Sequence, residues 1–153
     1  MSSWGWRADG EDMGLKSVFN AVGSAEKQYQ QFTDVSRETG NEKIMHPLEW
    51  WKNRRGMKQD AQLRCANYFC SNPAEVGAHV IDTKTGKHVY IVPTCKSCNN
   101  KGDVSYYVTD KHLEECTNIK PQHELIQKSD ERLEIIKKKD IFRALRKMGL
   151  ISG

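Results

Sequence analysis

Four cysteines in two short-spaced pairs, Cys65 and Cys70 in RCANYFC and Cys95 and Cys98 in PTCKSCNN, constrain the folding of this chain more than any other feature. Zn2+ takes four soft ligands tetrahedrally, and two short cysteine loops each present two thiolates inward at about 2.3 Å. The second pair, separated by Lys96 and Ser97, has the spacing of a zinc knuckle, and the first, with four intervening residues, lies at the loose end of the usual range. A structural Zn2+ held by Cys65, Cys70, Cys95 and Cys98 is the expectation. Disulfides are the alternative, and they require an oxidising compartment. The opening MSSWGWRADG lacks a charged segment followed by an apolar run, so secretion is not expected. No run of about 18 apolar residues is present to span a membrane. An intracellular location, cytoplasmic or nuclear, follows as the expectation. His79 and His88 compete for the metal, His79 as a replacement for one cysteine. Cys116, in HLEECTNIKP, has no second cysteine near it and reads as a spare thiol.

With 153 residues, 37% hydrophobic and 29% charged, one soluble domain with a modest core is the expected class. Metal coordination would then add directly to folding free energy. The formal charge of +4 is uneven along the chain. Residues 1–50 hold five basic against eight acidic side chains, and residues 51–101 hold nine against three. Residues 102–119 hold one against four, and residues 120–153 nine against five. A polyanionic partner must therefore be argued from local patches and not from net charge.

Three regions follow from the pattern. Residues 1–60 read as a helical N-terminal region with an irregular arm at Trp4 and Trp6, because Leu15, Val18, Phe19, Val22, Tyr29 and Phe32 recur at roughly helical spacing. Pro47 opens a short helix through PLEWWKNRRG that Gly56 closes. On that helix Trp50 and Trp51 point about 100° apart, so one is expected in the core and the other over the cysteine module. Residues 61–110 form the cysteine module, with VGAHVID and KHVYIV as strands around a TKTG turn, Pro93 ending the second strand, a turn into a short helix at TCKSCNNKG, and a strand at VSYYVT. Residues 111–153 read as an amphipathic basic helix, or two helices divided at Lys137-Lys138-Lys139 with Asp140 as a cap.

A cysteine loop, a β-hairpin and a second cysteine pair opening a helix resembles a treble-clef zinc finger. GAHV followed by YIVPTCKSCNN further resembles the zinc-containing HNH, or His-Me finger, endonucleases, in particular the phage Holliday-junction enzymes. The resemblance covers about forty residues. It implies a small treble-clef module, which with the helical N- and C-terminal flanks read from the apolar spacing makes the expected fold α+β. It also implies His79 as general base and Asn99, with Asn100 as the neighbouring alternative, as a ligand of catalytic Mg2+. The sequence departs from that pattern at Ala78, where the family commonly has Asp or His as a metal ligand; Asp82 and Asp103 are the candidate substitutes.

Binding of nucleic acid, DNA or RNA, is the expected function, through Arg54, Arg55, Arg64, Lys96 and Lys101 along the module. A Mg2+-dependent endonuclease using His79 and Asn99 is the alternative. A third reading is a protein-interaction adaptor that presents its tryptophans and its C-terminal helix to a protein partner. Binding makes no demand on a base and a metal ligand; hydrolysis requires both.

Overall fold

The computed structural model describes residues 14–117 and 119–152, apart from the side chains at positions 28, 119 and 120. The expected arm at Trp4 and Trp6 lies outside them. The chain is α+β: strands β1 (Leu15–Asn20), β2 (Phe32–Val35) and β3 (Glu42–Met45), helix α1 (Pro47–Arg54), strands β4 (Val76–Asp82) and β5 (Val89–Thr94), helix α2 (Lys96–Asn99), strands β6 (Ser105–Thr109) and β7 (Glu114–Glu115), and helix α3 (Ile119–Lys147). Five strands make one antiparallel sheet in the order β6-β1-β4-β5-β7, and β2 and β3 pair separately. The three regions of the sequence all contribute strands to that one sheet. No helix among the described residues is long and apolar enough to cross a membrane.

Although α1 forms where Pro47 places it, segment 15–35 is therefore not the expected α-helix. Its first element is β1, inserted between β4 and β6, with Val18 opposite Asp82 and Tyr106. Val18 and Phe19 are both fully buried, one against each side of the sheet. A strand buried on both faces shows consecutive apolar residues and not alternation. Here that run mimicked the spacing of a helix.

One sheet face is covered by helices. Phe19, Ile81, Val89 and Ile91 meet Met45, Trp50 and Trp51 from the α1 side and Leu125, Leu133 and Ile136 from α3. Both tryptophans lie in this cluster, so neither covers the cysteines. Trp50 stacks on Phe32 with ring centroids 4.5 Å apart, and the Trp51 indole donates to the His112 carbonyl at 2.8 Å. Close packing of α1 depends on Gly77: a Cβ there would lie 2.6 Å from the Leu48 nitrogen.

The second face is thinner. It holds Val18, Ala66, Ala78, Val80, Val92, Tyr106 and Val108, most of them small, and the cysteines form a separate cluster. The β4–β5 turn is closed by Asp82, whose carboxylate accepts from the amides of Thr85 (2.8 Å) and His88 (3.0 Å) and from the Thr85 hydroxyl. Gly86 supplies the positive φ of 69° that this turn needs. β5 runs on through Pro93 to Thr94, the last residue before the second cysteine pair.

The C-terminal region is one continuous helix through Lys137-Lys138-Lys139. Lysine is a good helix former, and no Pro or Gly interrupts the run. Its buried positions, Leu125, Ser129, Leu133 and Ile136, follow helical spacing and stop there.

Candidate metal centre and adjoining cavity

The two cysteine loops meet because β5 holds both. The Ala66 amide bonds the Pro93 carbonyl at 2.7 Å, and the Glu75 amide bonds the Thr94 carbonyl at 2.8 Å, fixing the first loop against the strand that leads into the second. The sulfurs of Cys65, Cys70, Cys95 and Cys98 then all lie within 4.8 Å of one another. All are free thiols. Sulfurs bound at about 2.3 Å to one tetrahedral ion are about 3.8 Å apart; the Cys70–Cys95 separation is 3.9 Å. Four sulfur donors at this spacing fit a metal ion. His79 is not among them.

Polar groups already face the sulfurs. The Cys98 amide donates to Cys95 Sγ at 3.4 Å, capping α2, and the Asn67 amide donates to Cys98 Sγ at 3.3 Å. Burial pushes the Cys65 thiol up to about 12. Burial acts the same way on Cys95, but bonds from the Cys98 amide and from Cys98, Asn72 and Cys70 side chains outweigh it and hold that thiol down to about 7. A cation would thus meet one thiol close to ionisation at neutral pH, and would displace the proton that burial holds on Cys65.

Asn20, at the end of β1, joins this centre to the sheet. Its amide nitrogen donates to the carbonyls of Cys98 (2.8 Å), Asn99 (3.1 Å) and Lys101 (2.8 Å), and its oxygen accepts from the Tyr106 hydroxyl at 2.7 Å. The loop after the second cysteine pair is thereby held in place. Sequence reasoning missed Asn20, because every one of these partners is more than seventy residues away.

Beside that loop lies a cavity of about 650 Å3, lined among others by Asn20, His46, His79, Asn99, Lys101 and Arg132. His79 and Asn99, paired by the sequence resemblance, share it, and Asn100 lines it too. His79 is reached from β4, only 6% exposed, with its ring stacked 6.0 Å from Phe32. Burial holds its pKa down to about 4, against the weaker opposing effect of a hydrogen bond to the Tyr29 backbone. It is a neutral imidazole at pH 7. Arg132 comes from α3 and donates to the Asn20 carbonyl at 3.0 Å; no motif announced it.

Other candidates lie elsewhere or are engaged. Ala78 is fully buried in the cluster on the opposite sheet face from the His79 side. The Asp82 carboxylate is used by the hairpin turn, and Asp103 faces Arg132 at 3.7 Å. Arg55 pairs with Glu114 at 2.6 Å and lies over the Trp51 ring at 4.3 Å. Arg54 reaches Asp34 and Glu114 at 3.8 and 3.6 Å and lies over Trp50. Both sit at the C-terminal end of α1, whereas the cavity is lined by its start, Pro47 and Leu48. The Arg64 guanidinium bonds the Cys70 carbonyl at 3.0 Å, and the Lys96 amide bonds Glu75 at 3.3 Å, leaving its ammonium and that of Lys101 on the exposed rim of the second pair. Cys116 is buried in the helix-covered core, where burial pushes its thiol up to about 12.

Comparison with models of known protein families, with curated proteins and with solved structures finds no match for this chain.

Proposed function

We propose that the protein is a zinc-stabilised, treble-clef-like module that binds nucleic acid at the cavity beside its second cysteine pair. The observation that supports this reading is the lining of that cavity: two cations, Lys101 and Arg132, stand with the amides of Asn99 and Asn100 against a single carboxylate, Glu75. Cations and amides are the side chains that meet phosphate and sugar oxygens. Zinc is the occupant that four thiolates at tetrahedral spacing select. Lys96 adds charge at the rim, and Arg64 on the first loop adds more. Arg54 and Arg55 serve the packing of α1. The test is fluorescence anisotropy with labelled DNA and RNA oligonucleotides over a salt series. Affinity is expected to fall with rising salt and to weaken on Lys101→Gln. Salt-independent or absent binding overturns the reading.

A second reading, hydrolysis of the bound strand, is favoured by one observation, the placing of a neutral His79 in the same cavity as Asn99. One ring nitrogen bonded to the Tyr29 carbonyl leaves the other as a lone-pair acceptor, the state a general base needs. The residues do not fit a protein-held Mg2+. That ion prefers several hard oxygens, and Glu75 is the only carboxylate lining the cavity among the described residues. Binding without cleavage therefore ranks first. Metal-dependent nicking of plasmid by the wild type that His79→Ala abolishes would reverse the order.

A further inference from the structure

Residues 137–147 of α3 carry six basic side chains against one acidic, a balance of +5 in a protein whose whole formal charge is +4. Everything else therefore sums to −1. Residues 51–101 carry +6 over 51 positions, whereas these eleven carry +5 on one stretch of helix that is exposed on nearly every residue beyond Ile136.

Its charges are not spread evenly round the helix. Taking Arg132 as origin and 100° per residue, Lys139, Arg143 and Arg146 fall within an arc of about 60°. Two members of this row touch the loop beside the cavity. Arg132 faces Asp103 at 3.7 Å, and the Lys139 ammonium donates to the Asp103 carbonyl at 3.3 Å. Arg143 and Arg146 continue the same row outward, Arg143 in a loose 3.9 Å pair with Asp140. Exposed Ile141 and Met148 fall on the opposite side of the helix, about 160–180° away. From Arg132 to Arg146 the row runs about 21 Å, the length of about six phosphates at duplex spacing.

We propose that the projecting half of α3 is a track for the phosphodiester backbone of a nucleic acid that leaves the cavity, contacted by Lys139, Arg143 and Arg146. The inference rests on the nucleic-acid reading above. It moves the main electrostatic contact from the cysteine module to the helix. A protein partner with an apolar groove would instead take the Ile141 and Met148 side; charge complementarity favours the polyanion on the row that continues from the cavity.

The experiment compares the wild type with Arg143→Gln/Arg146→Gln and with the charge-matched control Lys137→Gln/Lys138→Gln, whose positions lie about 120–140° off the row. The probe is a labelled single-stranded oligonucleotide, with anisotropy followed against salt. Loss of two track contacts is expected to flatten the slope of log affinity against log salt by about 1.4, with a smaller change in the control. Equal effects of the two pairs, or an unchanged slope with Arg143→Gln/Arg146→Gln while Lys101→Gln weakens binding, overturn the track and leave the cavity reading standing. Absence of oligonucleotide binding by the wild type overturns both. Binding by the wild type to phosphatidylcholine–phosphatidylserine vesicles and not to oligonucleotide assigns the helix to a lipid surface and also overturns the track. Circular dichroism on all variants checks that the helix is retained.

Discussion

The two faces of the sheet are closed by different physics. On one, Phe19, Ile81 and Ile91 find large partners in Trp50, Trp51, Leu125 and Ile136. On the other, Ala66, Ala78 and a set of valines offer little volume, and Ala66, next to Cys65 in the first cysteine loop, links them to the separate cluster of four thiols. Burial stabilises in proportion to apolar area, so the first face gains more from its side chains than the second. A metal ion held by the four thiols would supply what the small side chains omit. A module can thus have a thin core where its ligands gather, provided that the opposite side is thick.

Removing the metal is the most severe challenge to this contrast. Treatment with a strong chelator under reducing conditions is expected to melt the cysteine face, because a structural thiolate site contributes on the order of 10 kcal/mol to folding. Near-ultraviolet circular dichroism should retain a tryptophan signal from the helix-covered face while hydrogen exchange at residues 65–70 and 95–101 accelerates. Uniform retention of structure in the metal-free protein would break the comparison.

Neighbouring residues on β1 sharpen it. Phe19→Ala, on the helix face, is expected to cost about 3–5 kcal/mol. Val18→Ala, on the thin face, should cost less, about 1.5–3 kcal/mol. Urea denaturation of the metal-loaded protein reads both, and a larger loss from Val18→Ala would invert the assignment.

Acid tests the helix face through His79. Its folded pKa of about 4 lies below the ordinary 6.5, so between those values the unfolded chain binds more protons and stability falls as pH falls. The full loss is about 3 kcal/mol. Protonation of the thiolates also expels metal in acid, so the measured quantity is the difference between wild type and His79→Gln. That difference should shrink as the pH drops from above 6.5 toward 4, because the wild type alone carries this penalty.

The smallest effect is expected at Asn20, the link from β1 to the cysteine loop. Asn20→Ala removes the acceptor of the Tyr106 hydroxyl and one donor from each of three carbonyls, a loss of about 2 kcal/mol. Faster release of metal to a chromophoric chelator is expected alongside the lower melting temperature. An unchanged release rate would show that the two regions are not coupled through this residue.

Chemistry local in sequence is legible from the residues alone. The four thiols, the β4–β5 hairpin with its TKTG turn, and the helix opened by Pro47 each depend on residues a few positions apart. Their signals are spacing, turn propensity and capping. What was hidden depends on distant partners. β1 looked helical because burial on both sheet faces erased its alternation, and Asn20 carried no signal because its acceptors arrive from the second cysteine loop. Arg54 and Arg55 looked like free charge until Glu114 and two indole rings came to meet them. His79 and Asn99 were paired only through a family resemblance; the cavity they share with Asn20 and Arg132 is made by chain crossings that no window of sequence contains.

The insertion of β1 between β4 and β6 sets the order in which this protein can be completed. The first strand among the described residues completes its pairing only once residues up to 109 exist, so a fragment holding only the cysteine region leaves the facing edges of β4 and β6 unpaired. Unpaired edges recruit other chains. Dissecting the module from its N-terminal segment would therefore yield a sticky remnant in place of a minimal domain, and supplying residues 14–20 as a separate peptide would be the natural way to fill the gap.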